Sequence, residues 1–135
     1  MAEARGKGGE TEKITINLGA VDLGQIDLLV QEGFYSNRTD LIRTAIRNQL
    51  AGHSDVVKQT VARKALVLGL QHYSRKDLEA LRDAGERLQI QVLGLASIAD
   101  DVSPELARTT IESVAVLGVL QASREVKAAL ADRMR

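Results

Sequence analysis

Apolar and polar positions alternate strictly over Lys13-Ile14-Thr15-Ile16-Asn17-Leu18. This predicts a short β-strand with Ile14, Ile16 and Leu18 on one face and Lys13, Thr15 and Asn17 on the other. It is the only strand signal in roughly the first sixty residues. One short strand cannot form a sheet, so the simplest completion is pairing with its copy in a second chain.

Two helical patterns follow. Over Val21 to Glu32, Leu23, Ile26, Leu29 and Val30 fall on one face, and Gly24 weakens the helix from within. Gly33 is placed as a C-terminal cap, and Phe34, Tyr35 and Ser36 form a turn. Asn37 is the N-cap of the second helix, with Asp40 at the capping-box position. Leu41, Ile42, Ala45, Ile46 and Leu50 make its apolar face, and Gly52 ends it. His53-Ser54-Asp55 reads as a turn, with His53 as a solvent-facing loop residue. Val56 to Lys64 reads as a short connecting helix.

The pattern changes beyond residue 64. Val67-Leu-Gly-Leu70, Val92-Leu-Gly-Leu95 and Val116-Leu-Gly-Val119 recur at spacings of twenty-five and twenty-four residues. Each is a short apolar run of the kind buried on both faces of a parallel sheet. Helix signals follow each run. Ser74 with Asp77 caps a helix carrying Leu78, Leu81 and Leu88. Ser103-Pro104 leads to Leu106 and Ile111. Ser123 precedes Val126, Leu130 and Met134. The predicted order is βαβαβα with parallel strands and right-handed crossovers, compatible with a short solenoid. Gly69, Gly94 and Gly118 are expected to stack and to permit a bend or a close helix approach. A three-strand sheet leaves edges and faces open, so this half is expected to self-associate.

The fold class is therefore α+β. A flexible arm covers residues 1–12, a strand–helix–helix domain 13–52, a linker 53–64 and a βα-repeat oligomerisation module 65–135.

Composition narrows the chemistry. There is no cysteine, which excludes disulfides and thiolate metal sites, and there are only two histidines. No apolar run approaches the roughly 18 residues of a membrane span, and the polar, Gly-rich start does not read as a secretory signal. A cytoplasmic, nucleoid-associated location is expected. The formal net charge is zero. Yet Arg5, Lys7, Lys13, Arg38, Arg43 and Arg47 cluster towards the N-terminus, while Asp22, Asp27 and Glu32 gather on the first helix. Scarce aromatics, 2% of the chain, argue against single-strand binding by base stacking. No nucleophile–base pair, phosphate loop or metal cluster stands out, so neither an enzyme nor a cofactor is expected. Asp100, Asp101, His72 and Tyr73 sit at the strand ends where α/β sheets place ligands, but they read first as caps or solvated loop residues.

Strand, helix, turn and helix in about forty residues resemble the ribbon-helix-helix DNA-binding proteins of the Arc, MetJ and CopG type. The segments Lys13–Leu18 and Gly33-Phe-Tyr-Ser-Asn-Arg-Thr-Asp-Leu-Ile-Arg43 carry the resemblance. It covers under a third of the chain. It implies an intertwined homodimer whose antiparallel ribbon enters the major groove of double-stranded DNA. By position Lys13, Thr15 and Asn17 would contact bases, and Ser36, Asn37, Arg38 and Thr39 at the start of the second helix would contact phosphate. The side-chain chemistry agrees. Lys donates to guanine, Asn pairs with adenine in a bidentate way, and Thr serves either base or a thymine methyl. Some regulators of this kind sense nickel through a C-terminal domain rich in histidine with a cysteine, a ligand set this chain lacks.

The leading expectation is a transcriptional regulator, a repressor, that is a dimer through the strand and a higher homo-oligomer through the C-terminal module. Two others stand beside it. One is an antitoxin with the same DNA-binding head. The other is a structural assembly protein that uses the ribbon only to dimerise.

Overall fold

A computed structural model describes residues 11–135; Arg5, Lys7 and most of the expected arm lie outside this range. The chain divides into two compact units, Lys13–Thr60 and Val61–Arg135.

The first unit holds helices α1 (Ala20–Gln31) and α2 (Arg38–Ala51), and α3 (Ser54–Arg63) begins in it. Gly33 stops α1 as the sequence predicts. Its φ is 88°, and the Gly33 and Phe34 N–H groups donate back to the Val30 and Leu29 carbonyls at 3.1 and 3.0 Å. The Asn37 side chain accepts the Asp40 N–H at 2.8 Å, which starts α2. The reciprocal half of the expected capping box is displaced by one residue, because Asp40 accepts the Ser36 N–H at 2.9 Å. Residues 11–19 contain no hydrogen-bonded strand. The alternating hexapeptide has no ladder to join among the described residues of one chain, and a lone strand cannot satisfy its own backbone.

The second unit is a parallel sheet of three strands in chain order. They are β1 (Val67–Tyr73), β2 (Leu88–Ile98) and β3 (Ile111–Gln121). Helix α4 (Arg75–Ala84) links the first pair and α5 (Pro104–Thr110) the second. Helix α6 (Arg124–Ala129) follows β3. The Ser74, Ser103 and Ser123 hydroxyls each accept the N–H three residues on, and Asp77 closes a full capping box on Ser74. The strands outrun the apolar repeats, and Leu88 and Ile111, expected at the ends of helices, begin β2 and β3. Met134, expected on the last helix, instead bridges to Val114 after a single 3-10 turn.

The core lies on one side of the sheet. Ile90, Val92, Ala96 and Ile98 of β2 and Ile111 and Val114 of β3 pack against Leu78, Leu106, Ala107, Val126 and Leu130 from α4 to α6. The positions between them point the other way. Leu68, Leu70 and Leu117 are 66%, 68% and 57% exposed. The expected burial on both faces is thus met on one only, because all the helices that follow the strands cover the same face.

The repeats are held in register by their glycines. Gly69 pairs with Gly94 and Gly94 with Gly118. All three have positive φ, at 122°, 139° and 126°. A Cβ on Gly94 would collide with the Gly69 carbonyl oxygen, and one on Gly118 with that of Gly94. The stack expected from sequence is present, but its reason is strand-to-strand backbone approach and not a helix lying close. Gly94→Ala and Gly118→Ala combine backbone strain with a clash and should each cost about 3 kcal/mol. Gly69→Ala meets open space, so only strain remains, about 1–2 kcal/mol. Urea denaturation of the three variants should give this ranking; equal losses would refute the backbone-contact explanation.

Candidate nucleic-acid interface

The residues expected to meet DNA fall in two places of the first unit. Lys13, Thr15 and Asn17 are all exposed in the segment that precedes α1. Their neighbours Ile14 and Ile16 are also exposed, at 74% and 60%. Nothing in the unit absorbs that apolar face.

Ser36, Asn37 and Thr39 sit at the entry to α2 with Asp40, Arg43 and Arg47, around a shallow depression of about 330 Å³. Thr39, Arg43 and Arg47 are spaced by four, so they line one face of the helix. Asn37 holds the Asp40 N–H, and the Arg38 and Thr39 N–H groups have no partner among the described residues. Those two donors sit at the positive end of the α2 dipole. With the Ser36 and Thr39 hydroxyls and two guanidinium groups, they form a set of donors suited to an oxyanion such as a phosphate. Asp40 is the opposing charge in the depression, and one of its oxygens is engaged by the Ser36 N–H.

Arg38 is placed differently. Its Nε and Nη2 donate to Asp27 Oδ1 and Oδ2, each at 2.8 Å. The pair is bidentate and ties α1 to α2 across the turn. Hydrogen bonding to Arg38 lowers the Asp27 carboxyl below its ordinary value, and the same bond raises Arg38. Of the four residues expected at phosphate, two thus have side chains engaged within the chain, Asn37 in the helix cap and Arg38 in the ion pair with Asp27. Arg43 and Arg47 carry the charge instead. They are not among the phosphate contacts expected from sequence; successive steps of four from Thr39 to Arg43 and Arg47 are the signal that could have found them.

The second unit holds no comparable site. His72 Nδ1 lies 3.1 Å from Ser97 Oγ. Asp101 lies 3.8 Å from Arg75 Nε. Partial burial pushes the Tyr73 hydroxyl above its ordinary value. Hydrogen bonds from the Ser74 backbone and side chain lower Asp77. Among the described residues, no three histidine or acidic side chains gather as a metal site, and no helix is long and apolar enough to cross a membrane.

The Asp27–Arg38 pair fixes a pH dependence. Asp27 has a depressed value in the folded chain, so its contribution is complete above the ordinary carboxylate value of 3.8 and is lost as the pH falls through the depressed value. The stability difference between the native chain and Asp27→Asn should therefore be constant between about pH 5 and pH 8 and vanish in strong acid. Denaturant titrations of both proteins across pH will show it. A difference that persists undiminished in strong acid would mean that the carboxylate charge is not what joins the helices.

No curated protein and no solved structure matches the chain. The Ribbon-Helix-Helix transcriptional regulator family does match, over residues 9–127. That span takes in the alternating segment, both N-terminal helices and all three strands of the sheet, well beyond the N-terminal portion that carries the resemblance in sequence. The chain belongs to the ribbon-helix-helix transcriptional regulator family.

Proposed function

We propose that this protein is a sequence-specific repressor that binds double-stranded DNA as a homodimer. Residues 13–18 of two chains pair into an antiparallel ribbon, and Lys13, Thr15 and Asn17 read bases from its polar face. The observation that carries this reading is the missing interior of the first unit: no residue between Lys13 and Thr60 is buried. Ile14, Ile16, Val21, Leu28, Phe34, Leu50 and Val56 are each more than half exposed. Leaving that much apolar surface in water forgoes roughly 25 cal/mol per Å², so a second copy that covers it supplies the missing core. Ribbon pairing then turns Ile14, Ile16 and Leu18 towards the helices and leaves the alternate side chains free for the major groove. The depression at the α2 N-terminus clamps flanking phosphates, with Arg43 and Arg47 supplying charge.

Fluorescence anisotropy with a duplex from upstream of the protein's own gene tests this. Replacing Lys13, Thr15 and Asn17 together with alanine should cost about 1–3 kcal/mol per lost base contact and abolish the preference over random duplex. Arg43→Ala should weaken binding to both duplexes alike and flatten the slope of log K against log salt by about 1. Equal affinity of the native chain and the triple variant for the native duplex would refute ribbon readout.

A further inference from the structure

The side of the sheet opposite the helices is a bare apolar surface. Two ridges run across the strands. Leu68, Leu93 and Leu117 form one, and Leu70, Leu95 and Val119 form the other, each row in register. The glycine row lies between them and contributes no side chains, so the ridges flank a groove of about 360 Å³. Gln91 lies beyond one end of the ridges, and the polar row His72, Ser97 and Gln121 closes the other. Neither ridge carries Asp, Glu, Lys or Arg, in a chain that is 27% charged; the one such residue in the three strands is Glu112, exposed at the start of β3 and outside the ridges.

We propose that this face is the docking surface for the same face of a second copy of the chain, so that two sheets stack into a sandwich. Three observations favour that occupant. The two ridges carry only apolar side chains and so offer no ion pair to a phosphate backbone, an acidic peptide or a charged lipid surface, whereas an apolar patch matches itself. Two ridges with a groove between them are self-complementary under a two-fold axis, because one ridge from each copy seats in the other's groove. The extent is also in range. Strands about 4.8 Å apart, rising about 3.3 Å per residue over the seven residues of β1 and the eleven each of β2 and β3, make a face of roughly 460 Å². Pairing two such faces buries roughly 900 Å², close to the lower bound for a specific interface. The inference deepens the assembly side of the proposed function, and contact with DNA plays no part in it.

The chain has no cysteine, so a single introduced one reports its own neighbourhood. Cysteines on facing sheets of a sandwich can join in a disulfide. Leu93→Cys and Leu95→Cys lie near the centre of the face, and Lys76→Cys, exposed on α4, serves as control. The full-length variants are oxidised with copper phenanthroline at low micromolar concentration without DNA and followed on non-reducing gels. One of the two central cysteines should form covalent dimer at least tenfold faster than the control. Adding Leu70→Glu and Leu117→Glu, at positions exposed in the single chain, should return that rate to the control level while circular dichroism stays unchanged. Central cysteines that react no faster than Lys76→Cys would overturn the proposal. So would fast cross-linking that survives both glutamates. Loss of DNA binding with cross-linking intact would leave this face assigned and reject ribbon readout alone.

Discussion

A parallel sheet has two faces, and the helices of its own unit, α4 to α6, cover only one. Every connection between strands is a single helix, and all of them return to the same side. Within this unit the interior therefore forms once, between β2, β3 and helices α4 to α6, and the apolar positions on the other face are left out of it. Hydrophobic burial is the main favourable term in folding. One sheet face and the helical unit have little of it among the described residues, and the two proposed associations would supply the rest. The two exposed regions differ in kind. In the proposed dimer the N-terminal one is completed by backbone pairing, which would fix register and present polar side chains on the outside. The sheet face offers only side chains, which set no partner orientation beyond ridge and groove.

Much of this was legible in the sequence, and the legible parts share a physical basis. Helix starts were marked by Ser74, Ser103, Ser123 and Asn37, because a side-chain oxygen must satisfy N–H groups that no earlier turn can reach. Gly33 marked a stop because the left-handed region is open to it at no steric cost. The three Val-Leu-Gly repeats announced strands of equal register, and the parallel order followed from the helices between them. What stayed hidden depended on tertiary geometry. Leu88 and Ile111 fit a helical period as well as they fit a strand start, and only packing decides between them. The burial of one sheet face and not both cannot be read from a run of apolar residues, since the same run serves either case.

The site shows the same division. The depression at the α2 N-terminus follows from local rules of capping, dipole and a spacing of four. The engagement of Arg38 with Asp27 does not, because eleven residues and a turn separate them. Charge counting puts Asp27 with the acids of the first helix and Arg38 with the basic residues expected at DNA, and only the turn geometry shows that the two pair. Arg43 and Arg47 are left as the charge beside the helix start. A net charge of zero is thus compatible with a locally positive entry to α2, because the acids of α1 are partly spent in holding the helices together.

The central claim is that residues 13–18 become a strand only in the presence of a second chain. Amide hydrogen exchange of the full-length protein over a dilution series examines this at the backbone itself. Pairing predicts alternating protection across Lys13–Leu18 at high concentration, fading together with protection in α1 and α2 as the protein is diluted. Exchange at the free-peptide rate across these six residues at every concentration, with α1 and α2 still protected, would show that the helices are stable without a ribbon.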